Sequence, residues 1–333
     1  MDKKFDMKHT LSRREAIKLM GISPIAASVL ASTAGSSIAE ASEDVTGKVI
    51  IVGGGAGAIM ALSRIKSAIK NPDITIVAPN EVHLYQPGQI FMGAGEMQME
   101  DIILDNNNYI DKNEVTWIKD EVSVFDADNN SLTTRGGETL KYDYLVVATG
   151  IEYHYEVIGG LTKEDIGTNG IGSVYLNDLE KGTARGATGM WTWFNELKEM
   201  AKTKKPKVIY TQPNTPIKCG GAPQKMLYLS ADYLKQDGLS ADYNFVSSNA
   251  KLFSLPKIDK ALYDVQKQYD TITNKLQHHL QSIDVKAKKA TFVHAYEKDV
   301  YDEDFDTTEK VGFSDTVVMD YDFIHVVPPM SPV

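Results

Sequence analysis

The first regular pattern of apolar positions in the chain passes from a strand through a glycine-rich turn into a helix. The β-branched run Lys48-Val-Ile-Ile-Val52 is typical of a buried strand, and it leads directly into Gly53-Gly-Gly-Ala-Gly-Ala58. Helical spacing follows from Ile59 to Ile69, and Asp73-Ile-Thr-Ile-Val77 predicts a second strand. This order of elements indicates an α/β unit with parallel strands.

A second stretch of the chain repeats this order. Pro206-Lys-Val-Ile-Tyr210 predicts a strand, Ala222 to Lys235 a helix, and Tyr243-Asn-Phe-Val-Ser247 another strand. Each half also closes on a similar segment, which is Tyr142-Asp-Tyr-Leu-Val-Val-Ala-Thr-Gly150 in the first and Tyr321-Asp-Phe-Ile-His-Val-Val-Pro-Pro329 in the second. The matched order predicts a duplicated α/β unit rather than a chance similarity between two apolar strands.

Two further segments have apolar residues at helical spacing. In the connector between the halves these residues are Met190, Trp193, Phe194, Leu197 and Met200. Such a stripe is more typical of a packing face than of a cofactor-binding surface. In the second half, the pattern predicts a long amphipathic helix from Asp259 to Ile283, with one face formed by Leu262, Val265, Tyr269, Ile272, Leu276, Leu280 and Ile283.

Composition and charge narrow the class of protein. A chain of 333 residues is long enough for about two domains with proper cores. The formal charge of −10, without a basic stripe, argues against binding to nucleic acid. The single cysteine excludes an intrachain disulfide and any zinc site built on two cysteines.

The N-terminus has the pattern of an export leader. Ser12-Arg-Arg-Glu-Ala-Ile-Lys18 precedes an uncharged stretch from Leu19 to Ala39, and Ala39-Glu-Ala41 offers small residues for cleavage. We therefore expect a twin-arginine signal peptide over residues 1–41 and a periplasmic protein. The alternative is an uncleaved membrane anchor, which Pro24 and the small polar residues of this stretch disfavour.

The first glycine-rich turn matches the dinucleotide-binding pattern G-x-G-x-x-G/A. Gly53 would permit the tight turn, Gly55 would let the backbone approach a pyrophosphate, and Ala58 would allow close packing of helix on strand. With Gly57, these residues are the candidate phosphate site, at the N-terminus of the helix. An acidic residue usually closes the second strand and binds ribose, but this position is Ala78, so Asn80 or Glu81 is the expected substitute.

Cys219 is the candidate reactive residue. It lies in Asn214-Thr-Pro-Ile-Lys-Cys-Gly-Gly-Ala-Pro-Gln-Lys225, between a predicted strand and a predicted helix. A helix N-terminus and the neighbouring Lys218 would favour the thiolate, which is the nucleophilic form of cysteine. The alternative is an inert buried thiol, which the Pro/Gly-rich loop disfavours.

The segment Thr215-Pro-Ile-Lys-Cys-Gly-Gly-Ala-Pro-Gln-Lys-Met-Leu-Tyr-Leu-Ser230 resembles the first redox-cysteine segment of the sulfide:quinone oxidoreductases. The resemblance extends to His83-Leu-Tyr-Gln-Pro-Gly88, Gly93-Ala-Gly95 and Val326-Val-Pro-Pro-Met-Ser-Pro332. It therefore covers the chain in order from Gly47 to the last residue.

The resemblance implies an α/β fold with two Rossmann-like domains of the disulfide reductase type, FAD as cofactor, and sulfide and quinone as substrates. It implies that Cys219 is the first redox cysteine. It places Gln86 and Pro87 beside the flavin and its phosphates, and it makes Ala148-Thr149-Gly150 the element that returns to FAD. Sequence and resemblance together predict five segments: a signal peptide at 1–41, an FAD-binding domain at 47–157, a connector at 158–204, a second domain at 205–329 and the start of a return to the first domain at 330–333.

The second unit and the end of the chain depart from the family pattern. Prolines and a cysteine stand in Gln212 to Ala222 where a nicotinamide site needs glycines, so another electron donor or acceptor is expected. The family's second cysteine, its Gly-Asp segment at the flavin and its membrane-binding helices have no counterpart, so we expect the C-terminal part of the fold to be missing. Two alternatives to a complete enzyme are an inactive remnant or flavin-binding subunit completed by another chain, and a flavocytochrome-type sulfide dehydrogenase subunit. Contact with the membrane surface or with a partner subunit is compatible with each.

Overall fold

The structure is a computed structural model that describes residues 47–177, 185–269, 271–302 and 306–333. The predicted signal peptide lies outside the described residues. Within the described ranges, no helix combines the length and the apolar character needed to cross a bilayer.

The first half of the described chain contains eleven strands and three α-helices. In chain order they are β1 (Lys48–Val52), α1 (Ala56–Ala68), β2 (Asp73–Val77), β3 (Val82–Leu84), α2 (Gly88–Gly93), α3 (Met99–Ile102), β4 (Ile103–Asp105), β5 (Val115–Ile118), β6 (Val122–Asp126), β7 (Ser131–Thr134), β8 (Thr139–Lys141), β9 (Tyr144–Val147), β10 (Ile151–Tyr153) and β11 (Ile171–Gly172).

Four parallel strands form the main sheet of this half, in the order β5-β2-β1-β9. The inward face of α1 is buried against this sheet through Ala58, Ile59 and Leu62. A three-stranded antiparallel sheet, β6-β7-β8, is inserted between β5 and β9. The predicted strand, turn, helix and second strand are therefore confirmed.

The described residues of the second half form three α-helices and eight strands. They are α4 (Arg185–Ala201), β12 (Lys207–Gln212), α5 (Ala222–Gln236), β13 (Asp242–Ser247), α6 (Pro256–Gln266), β14 (Ile272–Lys275), β15 (His278–Asp284), β16 (Lys289–Asp302), β17 (Thr307–Asp320), β18 (Phe323–His325) and β19 (Met330–Pro332).

The second half repeats the topology of the first. Its parallel sheet has the order β11-β18-β12-β13-β14, and β14-β13-β12-β18 corresponds strand for strand to β5-β2-β1-β9. The antiparallel sheet β15-β16-β17 precedes β18 as β6-β7-β8 precedes β9. The predicted duplication of elements is confirmed, and the fold is α/β with two Rossmann-like units. In the connector, Trp193, Phe194 and Leu197 of α4 are buried in the core, which confirms the predicted packing face.

The predicted helix from Asp259 to Ile283 is wrong beyond its first part. The helix ends at Gln266, and the residues after it form β14 and β15. β14 begins at the β-branched residue Ile272 and adds a parallel strand beside β13. Gln277 then has a φ of 59°, which no helix accommodates. The apolar spacing matched a helix by coincidence, because pairing with β13 determines the conformation there.

A short antiparallel ribbon joins the two halves. β10 directly follows the first half's Ala-Thr-Gly turn and pairs with β19, which follows the second half's closing strand. The pairs run from Ile151 opposite Pro332 to Tyr153 opposite Met330. The ribbon therefore brings the ends of both parallel sheets together at one place.

Candidate functional site

The glycine loop between β1 and α1 is held tightly against the end of β9. The amide of Gly53 donates to the carbonyl oxygen of Val77 at 2.9 Å. Gly53 has a φ of 120°, which residues with side chains rarely adopt. A methyl group built at this position would overlap the carbonyl oxygen of Ala148. The close approach of the two chain segments thus requires glycine at position 53.

Gly55, in contrast, borders open space. It is the N-cap residue of α1, with extended backbone angles, and no atom lies within 4 Å of a methyl group built on it. No side chain of the described residues caps this end of α1, so its first N–H groups and the helix dipole can receive an anion. Behind the loop, Ala58 is fully buried, and a methyl group on Gly57 would lie 3.8 Å from that of Ala148.

A buried asparagine fixes the shape of this loop. The Asn106 side-chain amide donates to the carbonyl oxygens of Gly54, at 2.9 Å, and Asn80, at 3.0 Å. Its own oxygen lies 2.6 Å from Nδ1 of His83, which is also buried. The Asn80 side chain makes a second hydrogen bond to Gly54, at 3.1 Å. His83 is therefore the structural histidine of a network that holds the glycine loop in place.

The end of β2 has no acidic side chain in the predicted ribose position. Ala78 is fully buried there, and its carbonyl oxygen accepts a hydrogen bond from the Trp117 indole. Asn80 uses its amide for the carbonyl oxygens of Gly54 and Val82, and exposed Glu81 pairs with Lys119. Asn80 thus serves the glycine loop, and the Glu81 carboxylate already has a cationic partner.

The other predicted cofactor residues lie on exposed turns. Gln86 and Pro87 immediately precede α2, and both are exposed. Thr149 and Gly150 are exposed between β9 and β10. Gly150 has a φ of 91°, and no atom lies within 4 Å of a methyl group built on it. The backbone of this turn can therefore approach a ligand closely.

Cys219 is exposed, in the turn between β12 and α5. Its carbonyl oxygen accepts a hydrogen bond from the amide of Ala222, the first residue of α5, at 3.0 Å. The predicted position before a helix is therefore confirmed, and the alternative of a buried thiol is excluded. An exposed thiol at this end of a helix is accessible to an electrophile or to a sulfur substrate.

The side chain of Lys218 turns to the ribbon between the two halves. Its ammonium donates to the Tyr153 hydroxyl at 2.5 Å and lies over the rings of Tyr153 and Tyr175. Burial of the ammonium lowers the pKa of Lys218 to about 8, and a negative charge on the neighbouring Cys219 would act against that shift. Burial also raises the pKa of Tyr153 to about 12, so its phenol stays protonated at neutral pH.

The ribbon brings the thiol loop close to the Ala-Thr-Gly turn. Tyr153 is the last residue of β10, and three residues of strand span about 10 Å from Gly150. On the other strand, the amide of Met330 donates to the Thr215 hydroxyl at 3.1 Å, which ties the thiol loop to β19. The cysteine, the Ala-Thr-Gly turn and the glycine loop packed on β9 thus share one region of the molecule.

Three residues of this region could not be predicted from the sequence. Asn106 stands in a run of three asparagines that is typical of a polar loop, and Tyr153 stands just before the connector, in a segment without a recognisable motif. His154 lies 2.8 Å from a Glu156 carboxylate oxygen through Nδ1 and 2.7 Å from the Ser331 hydroxyl through Nε2. All three form hydrogen bonds to residues that are far away in the sequence, and the local sequence pattern does not predict such contacts.

Comparison with known proteins agrees with this geometry. Residues 47–178 match the family described as pyridine nucleotide-disulphide oxidoreductase. The mitochondrial sulfide:quinone oxidoreductase of Dictyostelium discoideum is 37% identical over 290 residues, which are 86% of this chain and 56% of that protein. The Mus musculus protein of the same name is 33% identical over 85% of this chain and 57% of its own length. This chain is a homologue of the sulfide:quinone oxidoreductases.

A solved structure shares the fold. The sulfide:quinone oxidoreductase of Aquifex aeolicus superimposes with a TM-score of 0.61 at 20% identity, and the match covers 85% of this chain and 59% of that chain. The chain thus spans a little over half the length of the relatives that it matches.

The cofactor of this family is FAD, and the residues present fit it. The open space at Gly55 and the uncapped start of α1 suit a pyrophosphate, and the Ala148-Thr149-Gly150 turn lies directly beside them. Asn106 and Asn80 hold the loop from behind without occupying that space. The glycine loop, α1 and the Ala-Thr-Gly turn would therefore hold the dinucleotide.

Proposed function

We propose that this chain oxidises sulfide through Cys219 and that the electrons leave by way of FAD to a quinone. The observation that supports this most strongly is the place of the exposed thiol. Through Lys218 and Tyr153 its loop is bound to the strand that follows Gly150, beside the dinucleotide loop. The names of the relatives, which specify sulfide and quinone, agree with that arrangement.

The chain's own part in the reaction is to hold sulfur. The Cys219 thiolate and hydrosulfide would combine into a persulfide, with release of one proton and two electrons. Bound FAD supplies the chemistry of accepting two electrons and passing them on to quinone. Thr215 and Lys218 anchor the loop on both strands of the ribbon, so the thiol is positioned before substrate arrives.

The persulfide must then be discharged. Because the sequence contains one cysteine, the group that takes the sulfur from Cys219 comes from outside these 333 residues. A small nucleophile or a thiol on a partner subunit would serve, by attack on the outer sulfur with departure of the Cys219 thiolate. This step needs access, and the exposure of Cys219 provides it.

The test uses the full chain reconstituted with FAD under anaerobic conditions. We expect sulfide to bleach the flavin absorbance and a soluble quinone to restore it, and we expect Cys219→Ser to abolish bleaching while flavin is retained. Bleaching at an equal rate in Cys219→Ser would contradict the proposed role of the thiol. Mass spectrometry of the sulfide-treated protein should show one added sulfur on the Cys219 peptide.

A further inference from the structure

The ammonium of Lys218 lies against two aromatic rings. Lys218 is an exposed residue as a whole, yet its Nζ lies 5.1 Å from the ring centre of Tyr153 and 5.3 Å from that of Tyr175. Throughout the described part of the chain, no carboxylate forms an ion pair with it. The faces of aromatic rings attract a cation but carry no full charge. Among the described residues, the site is therefore positive and has no carboxylate partner.

The hydrogen bonds of this cluster are also incomplete. An ammonium has three N–H donors, and within the described ranges only the Tyr153 hydroxyl accepts one of them. The Tyr175 hydroxyl is buried and has no hydrogen-bond partner among the described residues. Two donors of Lys218 thus remain for an acceptor that the described residues do not supply.

The anion closest to hand in the sequence is the thiolate of the next residue. Burial of the ammonium is unfavourable for the charged form, which is why the pKa of Lys218 falls to about 8. Lys218 and Cys219 are adjacent in the chain, and a negative charge on Cys219 would favour protonated Lys218. Burial raises the pKa of Tyr175, and a negative charge on Cys219 would raise it further. Among the described residues, the ionisable groups beside the lysine are therefore the Cys219 thiol and the phenols of Tyr153 and Tyr175, and both phenols are neutral at neutral pH.

We propose that Lys218, tethered by Tyr153, is the positioning residue that supplies positive charge to sulfur anions at Cys219. It would stabilise the thiolate and the persulfide, and it would draw hydrosulfide to the thiol as the anion in preference to neutral hydrogen sulfide. The inference rests on the proposed function for its substrate. The electrostatic part of the proposal, that the Lys218 cation stabilises an anion at the thiol, can be tested without flavin or sulfide.

Tyr153 gives this charge a fixed place. The hydroxyl on β10 receives one donor of the ammonium, while the ring and that of Tyr175 lie beneath it. Because β10 starts at the Ala-Thr-Gly turn, the tether sets the cation relative to the dinucleotide region as well as to the thiol. A lysine free to rotate in solvent would be screened and would discriminate little between charged and neutral reagents.

Alkylation of the single cysteine provides a direct test, because every modification reports on Cys219. The rates with iodoacetate, an anion, and iodoacetamide, a neutral reagent of similar size, are measured on the full chain without added sulfide. We expect Lys218→Met to lower the iodoacetate-to-iodoacetamide rate ratio about tenfold, which corresponds to one pKa unit of charge interaction. Lys218→Arg should retain most of the ratio.

Lys235→Met is the matched control. Lys235 also lies over a tyrosine, at 5.1 Å from the ring centre of Tyr269, but near the opposite end of α5. Its loss should leave the ratio unchanged. Tyr153→Phe keeps the ring and removes the hydroxyl that holds the ammonium, so the iodoacetate-to-iodoacetamide rate ratio should fall about threefold. If Lys218→Met does not fold, Tyr153→Phe still tests the proposal.

An unchanged ratio in folded Lys218→Met or Tyr153→Phe would overturn the proposal, as would an equal fall in Lys235→Met. The outcome is independent of the proposed function. If the rate ratio falls as expected in Lys218→Met but sulfide does not bleach the flavin, the role of Lys218 stands and sulfide is refuted as the substrate. Bleaching that depends on Cys219, with an unchanged ratio, would refute the role of Lys218 and leave sulfide oxidation in place.

Discussion

Among single residues, two glycines of one loop serve different needs. Gly53 is required by the fold, because its backbone is left-handed and β9 leaves no room for a side chain. Gly55 has ordinary extended angles and open surroundings, so the folded chain alone would accept a side chain there. A ligand that approaches the backbone would make use of the glycine at position 55.

This difference predicts opposite behaviour for two substitutions. Gly55→Val should leave the free energy of unfolding within about 1 kcal/mol of the parent and weaken FAD binding at least about tenfold. Gly53→Ala should lower the free energy of unfolding by about 2–4 kcal/mol through strain and overlap with β9. Urea denaturation and flavin titration of the apoprotein separate the two effects. Parent-like flavin affinity in Gly55→Val would show that the pyrophosphate lies elsewhere.

His325 is a second residue for which the structure predicts a measurable effect, here the dependence of stability on pH. It is fully buried on β18, Nδ1 has no hydrogen-bond partner within the described residues, and burial lowers its pKa from 6.5 to about 3. Below pH 6.5 the unfolded chain binds a proton that the folded chain does not bind until about pH 3. The stability contributed by neutral His325 is therefore present above pH 6.5 and is lost as pH falls toward 3.

We accordingly expect His325→Phe to flatten the acid limb of stability. Between about pH 6 and pH 4 the slope of unfolding free energy against pH should decrease by up to about 1.4 kcal/mol per pH unit, the value for one proton. Denaturation in urea at several pH values measures it, with the partly exposed His279 replaced by Gln as the comparison. Parallel curves for the parent and His325→Phe would contradict the assigned protonation state.

Among the secondary-structure elements, the short β10–β19 ribbon determines where the site forms. Three residue pairs alone make a weak ribbon, so side chains must contribute to it. His154, directly after β10, bonds Ser331 of β19 through one ring nitrogen and Glu156 through the other. Its backbone amide also donates to the carbonyl oxygen of Pro329, at 2.9 Å. These bonds fasten the second half of the chain to the first.

A double-mutant cycle tests this fastening. His154→Ala and Ser331→Ala should each lower the free energy of unfolding by about 1 kcal/mol, with a coupling of about 0.5–1.5 kcal/mol between them. Both should also weaken flavin retention, because the ribbon begins at the Ala-Thr-Gly turn. Lys163→Ala, at an exposed position further along the chain, serves as the control. Strict additivity would mean that the two side chains do not act together.

Across the whole molecule, two similar halves have diverged in what their first turns offer. The first half keeps glycines at the turn after β1, and the second has prolines and Cys219 after β12. Equivalent positions at the ends of two parallel sheets thus carry a dinucleotide loop and a thiol loop. The ribbon then joins the two, as the proposed reaction between thiol and cofactor would require.

Export of the whole folded protein is a further prediction. The twin-arginine route carries folded proteins, which suits a flavoprotein that acquires FAD before export. Replacing Arg13 and Arg14 by Lys should leave the precursor in the cytoplasm, as measured by cell fractionation and by the size of the product. Lys3→Arg with Lys4→Arg keeps the charge outside the pair and should not affect delivery. Unchanged periplasmic delivery of the twin-lysine form would refute the leader.

The parts of this protein that depend on neighbours in the chain could be predicted from its sequence. Strands β1, β2, β12 and β13, helices α1 and α5, and the turns holding Gly55 and Cys219 follow from apolar runs, glycines and prolines within a few residues. Spacing failed for the helix predicted to Ile283, because a partner strand already in the sheet offered β14 better hydrogen bonding and burial than a continued helix.

Which distant residues complete the site depends on the tertiary structure. Asn106 reaches Gly54 across 52 positions, Lys218 reaches Tyr153 across 65, and His154 reaches Ser331 across 177. Each contact depends on where the sheets and the ribbon place two chain segments, and the local pattern around either residue is that of an ordinary loop. Local sterics and periodicity can be read along the chain, whereas hydrogen bonds and charges between remote residues exist only once the chain has folded.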